Sequence, residues 1–299
     1  MTVSDITSLL TEKGVSFVLE GNANEQITGY SSLYRCKPGT IVWARDRATF
    51  LARNNKEPEV FSLLITSYDN TETEGIKAKL KTEDPRNVFF MVIDHFWGNI
   101  QPIGISPNAV IHPGAKLGKN VSVGDGCIIS DRTVIGDGTR LGARVVTIGT
   151  VKIGADCHIQ SGVVIGEDGM ALVKDDCFVK PIPHYGGVEI GDRVYIGANT
   201  CICRGTIEDT VLCDDVKVDQ LCHIAHNCVL EERTLLMAGS ILLGGVEVGK
   251  DVKINSALVK EQKTMGDGVV VAHGTVVTRK LPDNVVVQGN PMTIIKQNK

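Results

Sequence analysis

The sequence predicts a mostly β protein: a parallel β-helix of hexapeptides, preceded by a small α/β domain and followed by a short tail. Three observations carry this. An aliphatic residue recurs at every sixth position from Ile111 through Leu117, Val123, Ile129, Ile135 and Leu141 to Ile153, Ile159 and Ile165, with Thr147 as the one lapse. The series resumes at Ile190, Ile196 and Ile202, and again, shifted by four, from Leu212 to Ile254. Such a period is neither helical nor a simple strand alternation; it marks a parallel β-helix. The fourth residue after the aliphatic one is almost always small or β-branched, as at Ala115, Val121, Cys127, Thr139, Cys157, Cys222, Cys228 and Thr234. Both positions are expected to face inward. Gly often follows the aliphatic residue, as at Gly118, Gly124, Gly136 and Gly154, where it is expected to supply the positive φ of a tight corner. Three hexapeptides close a coil, so residues eighteen apart should stack.

The chain divides into three segments. Residues 1–100 hold eleven of the fourteen aromatics and no hexapeptide register. Ser4 is a candidate N-cap for an amphipathic helix carrying Ile6, Leu9 and Leu10. The stretch 26–44 reads as short strands between Gly and Pro turns, and the runs around 58–66 and 87–93 read as buried strands. Residues 101–280 form the β-helix. Its register breaks at 168–187, a long excursion of the kind that borders binding sites, and slips again near 205–210. Residues 281–299 are the tail.

Composition narrows the function. A net charge of −4 gives no electrostatic case for nucleic acid. No stretch is long and apolar enough to span a membrane, and no signal peptide is evident, so a cytoplasmic location is expected. Four of the nine cysteines fall in the inward slot, where a thiol behaves as a small hydrophobe. No paired CxxC spacing suggests zinc.

The stretch Asp219-Gln220-Leu221-Cys222-His223-Ile224-Ala225-His226-Asn227 carries the chemistry. Ile224 faces inward, so His226 stands near a corner and faces out. One coil further is Gly244, an unobstructed backbone N–H at the same corner. An imidazole, which titrates near pH 6.5 in its ordinary state, can take a proton from an attacking nucleophile. A fixed N–H can hold a developing oxyanion. The pair suits acyl transfer from a thioester; a surface histidine stacking on its neighbours is the plainer alternative. His223 faces outward as a candidate substrate contact beside Asp219, and His184 in the excursion is a weaker candidate. His223 and His226 could also share a metal ion, but no neighbouring position offers a third ligand, and no metal is assigned.

The stretch 159–230, with IGD, IGAN, RG and DT ahead of IAHN, closely resembles the UDP-3-O-acylglucosamine N-acyltransferases of lipid A synthesis. The run QITGYSSLYRCKPGTIVWARD is similar to that family's nucleotide-binding domain. The resemblance implies a left-handed β-helix, a homotrimer with sites between subunits, His226 as general base and Gly244 as oxyanion donor. It also implies that Trp43, Asp46 and Phe50 lie where the nucleotide binds. The chain departs from the family at several points. Asp46 replaces an amide, Thr49 a tyrosine, Gly169-Met170-Ala171-Leu172 a GFGF loop, and Lys263 a second histidine. The family's carrier-protein-binding C-terminal helices have no counterpart before Lys299, which favours acyl-CoA as the donor.

The expected function is therefore N-acylation of a nucleotide-linked amino sugar for a cell-envelope glycan, by direct attack, with an acyl thioester (acyl-CoA, or acyl-ACP) as co-substrate. The lipid A enzyme itself, using acyl-ACP, is the alternative within the class. A non-catalytic sugar-nucleotide-binding β-helix is the alternative outside it.

Overall fold

The computed structural model describes residues 1–46, 48–50, 61–67, 76–98, 104–174, 177–290 and 292–297. It divides into two compact units, Met1–Gln101 and Pro102–Lys299.

In the first unit, helix α1 (Val3–Glu12) starts at Thr2, not Ser4. The Thr2 side chain accepts from the Asp5 N–H, and the Asp5 carboxylate accepts from the Thr2 N–H at 2.7 Å. This reciprocal cap outcompetes Ser4, whose carbonyl instead accepts from the Thr7 and Ser8 hydroxyls. The sheet comprises β1 (Val18–Gly21), β2 (Gly29–Tyr30), β3 (Thr40–Ala44), β4 (Leu63–Thr66) and β5 (Ala78–Lys81), in the order β1-β5-β4-β3-β2. Only β1 pairs antiparallel. Central β4 is buried along its whole length, and its residues alternate between two cores. Leu63 and Ile65 pack with Ile6, Leu10 and Val92; Leu64 packs with Val42, Phe50 and Phe61.

The run 87–93 is helical, against the strand expected there. It lies in α2 (Pro85–Trp97), which opens on an Asp84 cap with Pro85 in its first turn. Val88, Phe89 and Val92 form its buried stripe. The β-branched and aromatic content imitates a strand, but the cap and the helical spacing decide.

The second unit is a left-handed parallel β-helix with three sheets, of eight, nine and ten strands among the described residues. Most strands are two residues long. The register follows the predicted stacking: Val134 pairs with Lys152, Arg140 with His158 and His223 with Ile241. The inward series is buried from Val123 onward, with Ile111 and Leu117 half-buried at the first coil, and Thr147, the lapse, is buried too. Its hydroxyl is 2.8 Å from that of Thr133, which satisfies both inside the core. The inward thiols do likewise. Cys127 Sγ lies 3.0 Å from the Gly142 carbonyl, Cys157 Sγ 3.1 Å from Gly191 and Cys228 Sγ 3.3 Å from Leu243. Burial pushes all three thiols up from their usual range.

Gly166 takes the expected positive φ (95°), but most glycines after the aliphatic position are needed for a different reason. Positive φ falls two residues later, at Asn120 (57°), Asn199 (58°) and Asn227 (60°), or at Gly126 (68°) and Gly138 (70°). Gly124 and Gly136 are required by close approach. A Cβ on either would sit 2.6 Å from the carbonyl carbon of Gly142 or Gly154 on the next coil.

Four irregularities interrupt the stacking, the last a two-residue shortening that pairs Met265 with Leu281 and Val270 with Val286. Between Ile153 and its partner Ile190 the chain makes the long excursion, in which Leu172–Lys174 and Val179–Pro181 pair as an antiparallel hairpin. Between Ile190 and Leu212 lies the four-residue slip. A third irregularity, beyond the predicted series, deletes one residue: Ile241 pairs with Leu258, and Ser256 takes φ 43°. The segment read as a tail extends the ten-stranded sheet through Val285–Gly289 and turns back as Met292–Gln297. No helix among the described residues is long and apolar enough to cross a membrane.

Candidate active site

At the corner after the nine-stranded sheet, the register puts four residues in one column. Ile202, Ile224, Leu242 and Val259 stack, so the residues two places on, Arg204, His226, Gly244 and Glu261, stack as well. The imidazole of His226 lies directly against Gly244. A Cβ at 244 would sit 2.6 Å from His226 Cε1 and 2.7 Å from Nε2. Only glycine leaves room for the ring in this place.

The Gly244 N–H is also open. At the corner after the eight-stranded sheet, several of the equivalent N–H groups are capped by carboxylates from the next coil. Lys119 N donates to Asp137 at 2.7 Å, Asp192 N to Asp214 at 2.8 Å and Lys250 N to Asp267 at 2.8 Å. Gly244 offers His226 N no side chain, and Glu261 above Gly244 pairs with Lys260 at 3.6 Å. Among the described residues, the N–H groups of His226 and Gly244 have no acceptor.

Asn227 fixes the tautomer of His226. Its Nδ2 donates to the Glu208 carbonyl at 3.0 Å, so its Oδ1 is the acceptor. Oδ1 receives the Thr206 N–H (3.1 Å) and hydroxyl (2.8 Å), and lies 3.0 Å from His226 Nδ1. Nδ1 must therefore carry the proton, which leaves the Nε2 lone pair free for an incoming group.

Both insertions serve this corner. The slip loop supplies Thr206 and Glu208. The returning limb of the excursion is stitched to it through Tyr185 N to Thr206 O (2.9 Å) and Gly187 N to Asp209 Oδ1 (2.6 Å). At the other end of the excursion, Arg204 Nε donates to the Gly166 carbonyl at 2.6 Å and stands 3.1 Å from Asp168. His184 is buried, donates Nδ1–H to Ile182 O at 3.0 Å, and stacks edge-on against His226 with centroids 5.2 Å apart. Its Nε2 is buried without a partner among the described residues. Gly169 closes over both rings: a Cβ there would meet His226 Cδ2 at 2.7 Å and His184 Nε2 at 3.1 Å. Sequence reasoning ranked His184 low because nothing in its own segment fixes its position; the loop stitching does.

The other predicted residues are spread out. Asp219 sits at the preceding corner, where its carboxylate accepts from Gln220 N at 2.8 Å. His223 pairs in register with Cys201 on the coil below. The Cys201 thiol is held well below its usual range, first by a hydrogen bond from Cys203 and then by one from His223; the same bond and burial push Cys203 up.

In the first unit, Trp43 is half-buried on β3 and lines a cavity of about 390 Å³ with Arg45, Ser67, Asp84 and Arg86. Asp46 accepts from Thr49 N at 2.7 Å. Phe50 does not join them. It is 4% exposed and packs edge-on against Phe61 at 6.4 Å, so it has no free face for a base. Its aromatic character is used in the second core.

Comparison with known proteins bears on the repeat and the fold. The family model for bacterial transferase hexapeptide repeats matches residues 132–167, and the hexapeptide repeat of succinyl-transferase matches 187–219. The UDP-3-O-acylglucosamine N-acyltransferase of Delftia acidovorans is 38% identical over 193 residues, covering 64% of this chain and 57% of the relative. That of Bordetella pertussis is 34% identical over 203 residues, covering 60% and 56%. The match thus spans little more than half of these relatives' length. Among solved structures, the UDP-N-acetylglucosamine O-acyltransferase of Moraxella catarrhalis superimposes with a TM-score of 0.58 at 26% identity, covering 65% of this chain and 75% of that one. The chain carries hexapeptide repeats on the left-handed β-helix and is similar, over little more than half of their length, to the UDP-3-O-acylglucosamine N-acyltransferases.

Proposed function

We propose that the protein is an N-acyltransferase whose acceptor is a nucleotide-linked amino sugar. The observation that carries this is His226 lying on bare Gly244, with Nδ1 anchored and both the Nε2 lone pair and the Gly244 N–H open. The sugar amine attacks the thioester carbonyl, and His226 Nε2 takes the proton the nitrogen loses. The Gly244 N–H stabilises the negative oxygen of the tetrahedral adduct. The C–S bond then breaks, the amide forms, and the imidazolium returns its proton to the departing thiolate. No acyl-enzyme is required.

Within this class the relatives' name supports UDP-3-O-acylglucosamine as acceptor and a lipid A role. That favours the reading held second from the sequence over a general acyl-CoA enzyme. The donor is a long-chain acyl thioester on a carrier protein. The Trp43 cavity, with Arg45 and Arg86 on its wall, suits a nucleotide base and its phosphates. The active form is a homotrimer, and the reaction belongs to cell-envelope glycan synthesis in the cytoplasm.

The test crosses UDP- and dTDP-linked amino sugars with short and long acyl-CoAs and acyl carrier proteins, and reads product by mass. The expected result is a mass gain on UDP-3-O-acylglucosamine with acyl carrier protein, lost in His226→Ala. Transfer to a different sugar would reassign the acceptor. Binding without transfer for every pair would replace the enzyme by a sugar-nucleotide-binding scaffold.

A further inference from the structure

We propose that Cys201, Cys203 and His223 form a binding site for a thiophilic divalent metal ion, with Zn²⁺ the best fit. This goes beyond the acyl-transfer reading and does not depend on it. Cys201 and Cys203 flank the fully buried Ile202 on one strand, so both thiols project from the same outer face. His223 is the register partner of Cys201 on the next coil and projects from that face too. The two sulfurs and the ring nitrogen all lie within 4.8 Å of one another. Three ligands of a tetrahedral zinc stand about 3.5–3.8 Å apart, given Zn–S near 2.3 Å and Zn–N near 2.0 Å. Closing the three donors on an ion therefore needs side-chain adjustment and no change of coil.

The donor chemistry is selective. Two thiolates and an imidazole suit zinc and exclude the hard cations that take oxygen ligands. Cys201 and His223 pair in regular sheet, and Cys203 ends the same strand opposite a bulge at Glu167, so the donors sit on fixed backbone. Three protein ligands leave a fourth position for water or a solute.

This arrangement is hidden from a search for paired CxxC motifs. The thiols are two apart rather than three, and the four-residue slip separates Cys201 from His223 by twenty-two residues instead of eighteen.

The test uses the full chain, purified under reductant and stripped with chelator. Titration with Co²⁺ should give thiolate-to-cobalt charge-transfer absorption saturating near one ion per chain, and Zn²⁺ should bleach it. Cys201→Ser, Cys203→Ser and His223→Ala should each weaken binding by at least roughly a hundredfold, the upper end of what losing an outer-shell partner costs. Cys213→Ser should bind as the parent does. Circular dichroism of each variant separates lost ligation from lost fold. No charge-transfer band, or a band that survives in the folded Cys201→Ser/Cys203→Ser double variant, overturns the proposal. So does a Cys201–Cys203 disulfide in protein purified without reductant that, once reduced, takes up no metal; that outcome assigns a redox pair instead.

Discussion

Nδ1 of His226 lies 3.0 Å from Oδ1 of its chain neighbour Asn227, and Asn227 cannot flip because its Nδ2 is committed to the Glu208 carbonyl. The neighbour in sequence sets the protonation pattern of the base. Asn227 also holds φ 60°, in the left-handed region that asparagine adopts more readily than most residues.

Asn227→Asp should keep the acceptor and add a charge. A carboxylate beside the ring favours the imidazolium. The acid limb of the rate–pH profile should move to higher pH, with KM little changed. An unshifted limb would mean that Asn227 does not set the state of the base.

Gly244→Ala tests the column directly. The φ of Gly244 is outside the left-handed region, so the backbone accepts alanine, but the new methyl meets the His226 ring. The N–H donor is kept and the base is displaced, so turnover should fall by about 10²-fold, the scale of a misplaced catalytic group. The unfolding midpoint should move by less than the value for a buried coil glycine.

His184 acts on His226 by packing. His184→Leu keeps bulk against the ring and removes the orphan nitrogen, so kcat should stay within about threefold. His184→Ala removes the support, and kcat should fall by roughly tenfold or more through misplacement of the base. Equal losses in both variants would assign a role to the Nε2 atom.

The two glycine classes should separate in urea denaturation. Gly136→Ala drives a methyl into the Gly154 carbonyl and should cost about 1–3 kcal/mol. Gly239→Asn places a residue with open space around it in a conformation that Asn199 and Asn227 already adopt, and should cost less than about 0.5 kcal/mol.

Acid should weaken the first unit through β1 and β5. Hydrogen bonds from Lys81 and then Lys79 hold the Glu20 carboxyl below its ordinary value of 4.5; Lys77 and then Ser62 do so for Glu25. A depressed folded value means the stabilisation is present above about pH 4.5 and is lost as pH falls through the folded values. The Glu20→Gln/Glu25→Gln variant should melt earlier than the parent at pH 7, and the two should converge in acid. A constant gap across pH would rule out these pairs as the cause.

The β-helix was legible because each hexapeptide repeats one physical demand, an aliphatic residue inward, and many copies average out the exceptions. His226 and Gly244 were legible for the same reason: stacking turns a spacing of eighteen into a contact. Where the count breaks, reading fails. The pairing of Cys201 with His223 crosses the slip, and the one-residue deletion at Ser256 follows the last residue of the predicted series. The first unit has no repeat to average over. At 87–93 the Asp84 cap and the helical spacing of Val88 and Val92 outweigh a composition that reads as strand, and the burial of Phe50 in the second core is tertiary and not encoded in local composition.

The irregularities carry a broader consequence. A coil touches only the coils above and below it, so an insertion at a corner alters nothing two coils away. The fold behaves as a rack with fixed pitch, into which loops can be added or exchanged one slot at a time. The excursion and the slip occupy neighbouring slots and jointly grip one histidine. Selectivity for a new acceptor could therefore evolve by exchanging either loop, while the rack that holds the base remains untouched.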